Sequence, residues 1–312
     1  MKSLNNITKV IFAIIFLINS SCSKEDSIIS DTEMINSIEV DSTNDSEDIS
    51  ASLVKGAITL YTVNGTEIEK KIDYAVSGTN LALQKNIKKH DQVWNFIKKV
   101  TPTKYLSMIK EFLVFNGEAE QIGGFVTDID NDLSKWTLGI AIEDIDGDGD
   151  LIHIVLHEVA HIITLKKDQV DENKTSDDCK TIGSYSGCVK GNSYLYELYV
   201  NYWGDIKKDR EELSKEQLYQ KYPDRFVTEY AATNPGEDIA EVITEFIKQP
   251  KSSNTSIANK KINSMYNHSE IVDFRNYVIS NINTTSGSRL SRIATNNSKR
   301  KKHKCGRIHK GL

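Results

Sequence analysis

Two histidines and a glutamate in the stretch HEVAH could bind a metal ion and use it. They are His157, Glu158 and His161, inside the apolar run LIHIVLHEVAHIITL at 151–165. Four residues are slightly more than one helical turn, so both imidazoles project from one helix face and can ligate one zinc ion, with Glu158 placed to activate water. His153 lies one turn earlier, and we expect it to line the cleft or to pack there. The alternative is a buried helix with core histidines.

A catalytic zinc site takes three protein ligands, so the third must come from elsewhere in the chain. The segment YAATNPGEDIAEVITEFIKQP at 230–250 indicates a second helix, because Asn234 can cap it, Pro235 suits its first position and an apolar stripe follows. Glu237 and Glu241 then share one face. Glu237 can ligate zinc, and Glu241 can hydrogen-bond the second nitrogen of a ligand histidine. A solvated acidic face is the alternative for this pair.

HEVAH followed by FVTEYAATNPGEDIAE at 226–241 resembles the catalytic domain of anthrax lethal factor and of zinc metallopeptidase lipoproteins of Bacteroidetes-type bacteria. In that family a Tyr lies seven residues before the ligand Glu, which opens a helix reading E-x-x-A-E. The resemblance implies one zinc ion per chain, with three ligands, a general base and a donor to the oxyanion: His157, His161 and Glu237; Glu158; and Tyr230. It also implies a zincin-like α+β fold, with a small antiparallel sheet, an HExxH helix and a second helix that carries the Glu ligand.

Such a centre hydrolyses peptide bonds with water activated by Glu158. We therefore expect a zinc-dependent metallopeptidase that acts on protein or peptide substrates as a monomer. One alternative is a catalytically inactive surface lipoprotein of the same fold that binds a host protein or a glycan. Another is a generic binding lipoprotein without metal. The residues do not specify a substrate.

The start of the chain predicts export. A positively charged beginning, the apolar run VIFAIIFLI at 10–18 and the small residues NSSC at 19–22 are typical of a signal peptide over 1–21, since nine apolar residues are too few to cross a bilayer. Cys22 stands where a lipobox has its lipidated Cys, and KED at 24–26 resembles the signal that sends such lipoproteins to the cell surface. We expect an outer-membrane lipoprotein exposed at the cell surface, whose lipid anchor makes its only membrane contact. A plain secretory signal with a free Cys22 is the alternative.

Composition divides the chain of 312 residues into four regions. These are the signal peptide, a lipidated Cys with a disordered acidic tether, a catalytic domain that begins with a hairpin at 55–75, and a basic disordered tail: 1–21, 22–54, 55–285 and 286–312. The hairpin could instead be a separate small module. The formal net charge is −5, and because residues 289–312 contribute nine Lys or Arg and no acid, the other residues carry −14. A basic tail can bind nucleic acid or anionic surfaces, but we expect no nucleic-acid partner.

Several segments predict local structure. AITLYTVNGTEIEKKID at 57–73 predicts a hairpin around Asn64–Gly65. Three β-like segments, at 111–116, 122–129 and 135–145, predict an antiparallel meander. The last of them could present an edge to which an extended peptide substrate adds as a strand.

Cys179 and Cys188 flank a Gly-Ser-Tyr-Ser-Gly turn, so export favours a disulfide between them. DIDGDGD, from Asp144 to Asp150, resembles the start of a calcium loop, but the twelfth position is Val155 where the loop needs a Glu. The alternative is an acidic turn whose last Asp caps the next helix. The Tyr-rich segment 166–229 predicts core packing, with a recognition surface as the alternative.

Overall fold

The computed structural model of the protein describes residues 56–118, 122–142, 148–175, 178–184, 186–283 and 304–305. The signal peptide, Cys22, the acidic tether, the first part of the DIDGDGD turn and most of the basic tail lie outside the described residues. The fold is mixed α+β, with a main sheet covered by helices and a second, three-stranded sheet.

The main sheet has the order β2-β1-β3-β5-β4, with the two-residue strand β9 beside β4. Its strands are β1 (Ala57–Asn64), β2 (Glu67–Asp73), β3 (Ile109–Phe115), β4 (Ile122–Ile129), β5 (Asp132–Ala141) and β9 (Lys304–Cys305). The turn between β1 and β2 places Gly65 at a φ of 67°, a conformation that suits glycine. Because β1 also pairs with β3, the hairpin belongs to the main sheet. Residues 304–305 fall in the tail that was predicted to be disordered.

The predicted antiparallel meander is wrong, because β3 and β5 are parallel neighbours and β4 does not pair with β3. A tight turn at Asp130 and Asn131, both with positive φ, joins β4 to β5 as a hairpin. After β3 the chain forms β4 one strand position away, and β5 then lies between β3 and β4 and pairs with both. The run FLVF at 112–115 is buried on both faces, as is typical of an interior strand with a parallel neighbour.

The predicted edge at 136–145 is also wrong. Strand β5 lies between β3 and β4, so its backbone groups are already paired on both sides. The edges are β2 on one side and β4, with residues 304–305 beside it, on the other. Any strand addition by a peptide would therefore have to use another strand.

Ten α-helices lie within the described residues, and none of them is long and apolar enough to span a membrane. They are α1 (Gly78–Lys85), α2 (Ile87–Val100), α3 (Thr103–Leu106), α4 (Asp148–Leu165), α5 (Tyr194–Tyr202), α6 (Lys207–Glu212), α7 (Lys215–Lys221), α8 (Pro235–Lys248), α9 (Ile257–Ser264) and α10 (Ser269–Asn283). The main core lies where the sheet meets these helices, and a smaller apolar cluster covers the opposite face of the sheet.

Helix α4 packs between the sheet and α8, and it approaches β4 closely at Gly124. A Cβ atom on Gly124 would lie 2.6 Å from Cγ2 of Ile154 and 3.3 Å from Cγ of Glu158. Any larger residue would push α4 away from the strand. Because Gly124 has no side chain, the part of α4 that carries Glu158 can lie this close to β4.

The second sheet has three strands. They are β6 (Val170–Asp171), β7 (Gly183–Ser184) and β8 (Gly187–Val189), in the order β6-β8-β7. Cys179 and Cys188 form a disulfide with an S–S distance of 2.03 Å, which links the hairpin strand β8 to the segment before β7. The tyrosines of α5 pack partly buried against the main core, which agrees with the packing interpretation of this segment.

Candidate metal centre

Helix α4 carries His153, His157 and His161 at a spacing of four residues, and its remaining faces bury apolar side chains. His157 is fully buried and His161 is 2% exposed. Their ring centroids are 4.7 Å apart. The two imidazoles therefore meet inside the protein, away from bulk water.

Helix α8 begins directly opposite. The Asn234 side chain accepts a hydrogen bond from the Glu237 backbone N–H at 3.0 Å, and Pro235 occupies the first turn, where its missing N–H costs nothing. Glu237 and Glu241 follow one turn apart and are both buried. The predicted second helix thus turns both carboxylates inwards, and the solvated acidic face does not occur.

The structure brings His157, His161 and Glu237 together. Glu237 Oε2 lies 3.0 Å from His157 Nε2 and 3.3 Å from His161 Nε2, and one ligand atom from each residue falls within 4.8 Å of the others. Ligand atoms at zinc distances from a tetrahedral ion lie about 3.3 Å apart, so two of the pairwise distances already match. Two imidazoles and one carboxylate also form a donor set that catalytic zinc takes. The residues fit the metal.

Glu241 holds the outer side of this cluster. Its Oε1 accepts a hydrogen bond from His157 Nδ1 at 2.7 Å, and its Oε2 accepts one from the Thr228 hydroxyl at 2.8 Å. With Nδ1 bonded in this way, Nε2 of His157 is directed towards Glu237. A carboxylate in that position orients a ligand histidine and raises its basicity.

His153 completes a buried chain of polar groups. Its Nε2 lies 2.9 Å from Glu241 Oε1, and its Nδ1 lies 3.4 Å from the Lys248 ammonium, which pairs with Glu245 at 2.6 Å. One ligand atom from each of His153, His157 and Glu241 also lies within 4.8 Å of the others. The Lys248 charge beside His153 opposes a second cation there. We assign His153 to the hydrogen-bonded support of Glu241.

Glu158 differs from Glu237 and Glu241, whose buried carboxylates are hydrogen-bonded. It is fully buried, and neither carboxylate oxygen has a hydrogen-bond partner among the described residues. Burial raises its pKa well above the usual value, and the nearby Glu237 and Glu241 act in the same direction, while His157 opposes them. A buried carboxyl group without a hydrogen-bond partner indicates a functional group that exchanges a proton or binds a ligand.

The charges of the cluster compensate each other. Burial by itself would lower the pKa of His157, but its hydrogen bonds to Glu237 and Glu241 outweigh burial and raise that pKa to about 10. Burial would raise the pKa of Glu237, but His161 and His157 bring it down to about 2. In the metal-free protein, both ring nitrogens of His157 are therefore protonated and the imidazole is positively charged. Zinc binds neutral imidazole, so metal binding must displace one of these protons.

Tyr230 lies in a short 3-10 turn (Tyr230–Ala232) just before α8. Its ring centroid is 5.8 Å from that of His157, and the residue is partly exposed. The Lys215 ammonium lies 5.7 Å from the Tyr230 ring centroid. Thr228 supports the same turn, since its hydroxyl accepts a hydrogen bond from the Ala231 backbone N–H at 3.0 Å. Tyr230 therefore lies beside His157 and keeps part of its surface exposed to solvent.

A cavity of about 370 Å³ opens beside His161 and Glu237. That volume falls in the range of small-ligand and peptide-binding clefts. Its lining combines the β7 region, α4, α5, α6 and the start of α8: His161, Leu165, Thr181, Ile182, Gly183, Ser184, Leu195, Tyr199, Lys207, Arg210, Asn234, Pro235, Gly236 and Glu237. The cluster therefore has access to a space that a peptide could occupy.

Sequence reasoning missed Thr228, the support given by His153 and the cleft residues of α6. Thr228 lies only two residues before Tyr230, inside the motif that carried the family resemblance, so its position was a usable signal. The α6 residues had no such signal, because a short charged helix is ordinarily a solvated surface element.

No protein-family model matches the chain, and no curated protein matches it. Among solved structures, one is described as a putative zinc-binding metallo-peptidase from Bacteroides caccae. Its sequence is 16% identical to that of this protein, and the superposition covers 72% of this chain and 83% of that chain with a TM-score of 0.37. A similarity of this degree assigns neither a fold family nor an activity to this protein.

Replacing Glu241 with Gln should weaken zinc binding, because it removes the carboxylate that orients His157. Loss of such an orienting group typically costs about 10- to 100-fold in metal affinity. Competition with a chromogenic chelator measures this affinity. Glu245→Gln is the matched control, since Glu245 lies one turn further along α8 and is equally buried. An equal loss in both variants would contradict the orienting role of Glu241.

Proposed function

We propose that the protein is a zinc-dependent peptide hydrolase, with zinc held by His157, His161 and Glu237. The observation that carries the proposal is the convergence of these three donors beside the buried, unpartnered carboxylate of Glu158. A structural zinc site has no need for such a carboxylate, whereas hydrolysis needs a base. Support from the sequence comes from the resemblance of HEVAH and the Tyr230 to Glu241 segment to zinc metallopeptidases.

A zinc ion at this position would supply a Lewis acid that polarises the peptide carbonyl and makes water more acidic. Glu158 takes one proton from the attacking water as the water oxygen bonds to the carbonyl carbon. When the carbon–nitrogen bond breaks, Glu158 gives that proton to the leaving amine. Burial raises the pKa of Glu158, which makes its carboxylate a stronger base towards the attacking water.

Tyr230 is the proposed donor to the carbonyl oxygen as negative charge develops on it. Its ring centroid lies 5.8 Å from that of His157, which supports this role. A donor aimed at the charge that develops in the transition state contributes more than one aimed at the ground state. Glu241 and Thr228 keep His157 in the orientation that metal binding requires.

The proposal is tested by the zinc content of the purified protein and by its hydrolysis of a mixed peptide pool. We expect one zinc ion per chain, with hydrolysis lost after chelation and restored by added zinc. A protein with well below one zinc ion per chain would remove the proposal. A fully zinc-loaded protein that hydrolyses no peptide in the pool would instead favour the inactive binding protein of the same fold.

We also propose that this activity is held at the cell surface by lipid on Cys22. Support comes from the signal-like segment at 1–21, the KED sequence at 24–26 and the polar tether that follows. Metabolic labelling with a palmitate analogue should mark the wild-type protein and not Cys22→Ser. Labelling of both proteins, or of neither, would argue against the anchor.

A further inference from the structure

The cavity beside the candidate metal centre has a basic wall. Lys207 and Arg210 both line it, from helix α6. They are three residues apart, so they project from the same helix face. Both are exposed, and neither forms an ion pair with a carboxylate in the part of the chain that the structure describes.

Three of the other four charged residues of α6 are paired with an opposite charge, and the fourth, Glu211, is exposed and does not line the cavity. Lys208, between the two, lies 3.8 Å from Glu212, and Asp209 pairs with Lys221 at 2.6 Å. Lys208 and Asp209 do not line the cavity. The two cations of α6 that line the cavity therefore have no carboxylate partner among the residues that the structure describes.

The opposite wall does not supply the missing negative charge. Glu237 is the one carboxylate among the described residues that line the cavity, and His157 and His161 already engage it. Metal binding would engage it further. The remaining polar lining residues, such as Thr181, Ser184 and Asn234, are neutral.

This local charge is opposite in sign to the formal net charge of residues 1–288. Without the basic tail, the formal net charge is −14. Such a protein repels acidic ligands at long range, so two unpaired cations in a cleft act as a selective feature. Leu165, Ile182 and Leu195 give the cavity an apolar part of its lining, which an apolar side chain of a bound peptide can contact.

We propose that the cleft binds peptides through a carboxylate that pairs with Lys207 and Arg210. The carboxylate belongs either to an Asp or Glu side chain close to the scissile bond or to a free C-terminus. This inference rests on the proposed peptidase function, because it gives that site a substrate class. An Arg beside a Lys suits it, since the Arg guanidinium can hold a carboxylate through two parallel hydrogen bonds.

The test measures peptide binding, so it does not depend on turnover. Zinc-loaded Glu158→Gln protein is titrated with fluorescein-labelled hexapeptide pools that carry Glu or Gln at one defined position and a free or amidated C-terminus. We expect either the Glu pool at one position to bind about tenfold more tightly than the matching Gln pool, or the free C-terminus to bind about tenfold more tightly than the amidated one. This difference should shrink steeply as the salt concentration rises. Which pool binds tighter identifies the source of the carboxylate.

The double variant Lys207→Glu/Arg210→Glu should abolish this preference, and the matched variant Lys208→Glu should retain it. Equal binding of the acidic and neutral pools by the parent protein would overturn the proposal. So would a preference that survives in the double variant, because zinc alone would then attract the carboxylate. Hydrolysis by the wild-type protein together with no acid preference in the binding test refutes only this inference, and an acid preference together with no hydrolysis by the zinc-loaded wild-type protein refutes only the peptidase function.

Discussion

Replacing Glu158 with Gln should lower peptide hydrolysis by about 10²- to 10⁴-fold, the range that a positioned general base contributes. The amide is nearly the same size as the carboxylate but cannot take a proton from water. Steady-state hydrolysis of a cleavable peptide measures the loss. The expected change is in kcat, since Glu158 acts on the reacting water and does not hold the substrate.

Zinc content separates this explanation from simple damage to the site. Glu158 is outside the ligand group formed by His157, His161 and Glu237, so the variant should keep one zinc ion per chain. Its fold should also persist, because the carboxylate makes no hydrogen bond that the amide could lose. A variant that binds zinc and retains more than a tenth of the wild-type rate would mean that another group is the base.

Replacing Lys261 with Ala should destabilise the protein by about 3 to 5 kcal/mol, because it leaves a buried charge without its partner. Lys261 and Asp238 are both fully buried, and the ammonium lies 2.5 Å from Asp238 Oδ2. The same oxygen accepts a hydrogen bond from the Trp203 indole N–H at 2.7 Å. The ammonium is also 4.6 Å from the ring centroid of Phe226, which adds a cation–π attraction. Denaturant unfolding measures the change in free energy.

The exposed neighbour on the same helix provides the control. Lys260→Ala should change the free energy of unfolding by less than about 0.5 kcal/mol. The double variant Asp238→Leu/Lys261→Met should recover part of the loss, since apolar residues of similar volume often replace a buried ion pair without cost, while the Trp203 indole N–H loses its acceptor. Equal effects of Lys260→Ala and Lys261→Ala would contradict the account.

This ion pair also bears on the metal centre. Asp238 follows Glu237 directly in the first turn of α8, and Lys261 reaches it from α9. The pair therefore fixes the end of the helix that presents Glu237 to the two histidines. We expect Lys261→Ala to weaken zinc binding as well, although Lys261 does not belong to the metal cluster.

The parts of the site that the sequence could predict are those that depend on neighbours along the chain. Helical spacing puts His157 and His161 on one face, and the Asn-Pro start predicts where α8 begins. A Cys pair separated by nine residues can close a local loop, as the disulfide does. The strand order could not be predicted in this way, because the same alternating β segments fit several pairings and only the packing against α4 selects one.

By itself, then, the sequence determined the two helices, the type of ligand each one carries and the contrast between an acidic chain and its basic tail. These properties follow from spacing, capping and composition, which are local. The tertiary structure alone decided that Glu237 meets His157 across 80 residues of chain, that His153 supports Glu241, and that Lys207 and Arg210 face the same cleft. Such contacts depend on how α4, α6 and α8 pack against each other, and that packing is a property of the whole core.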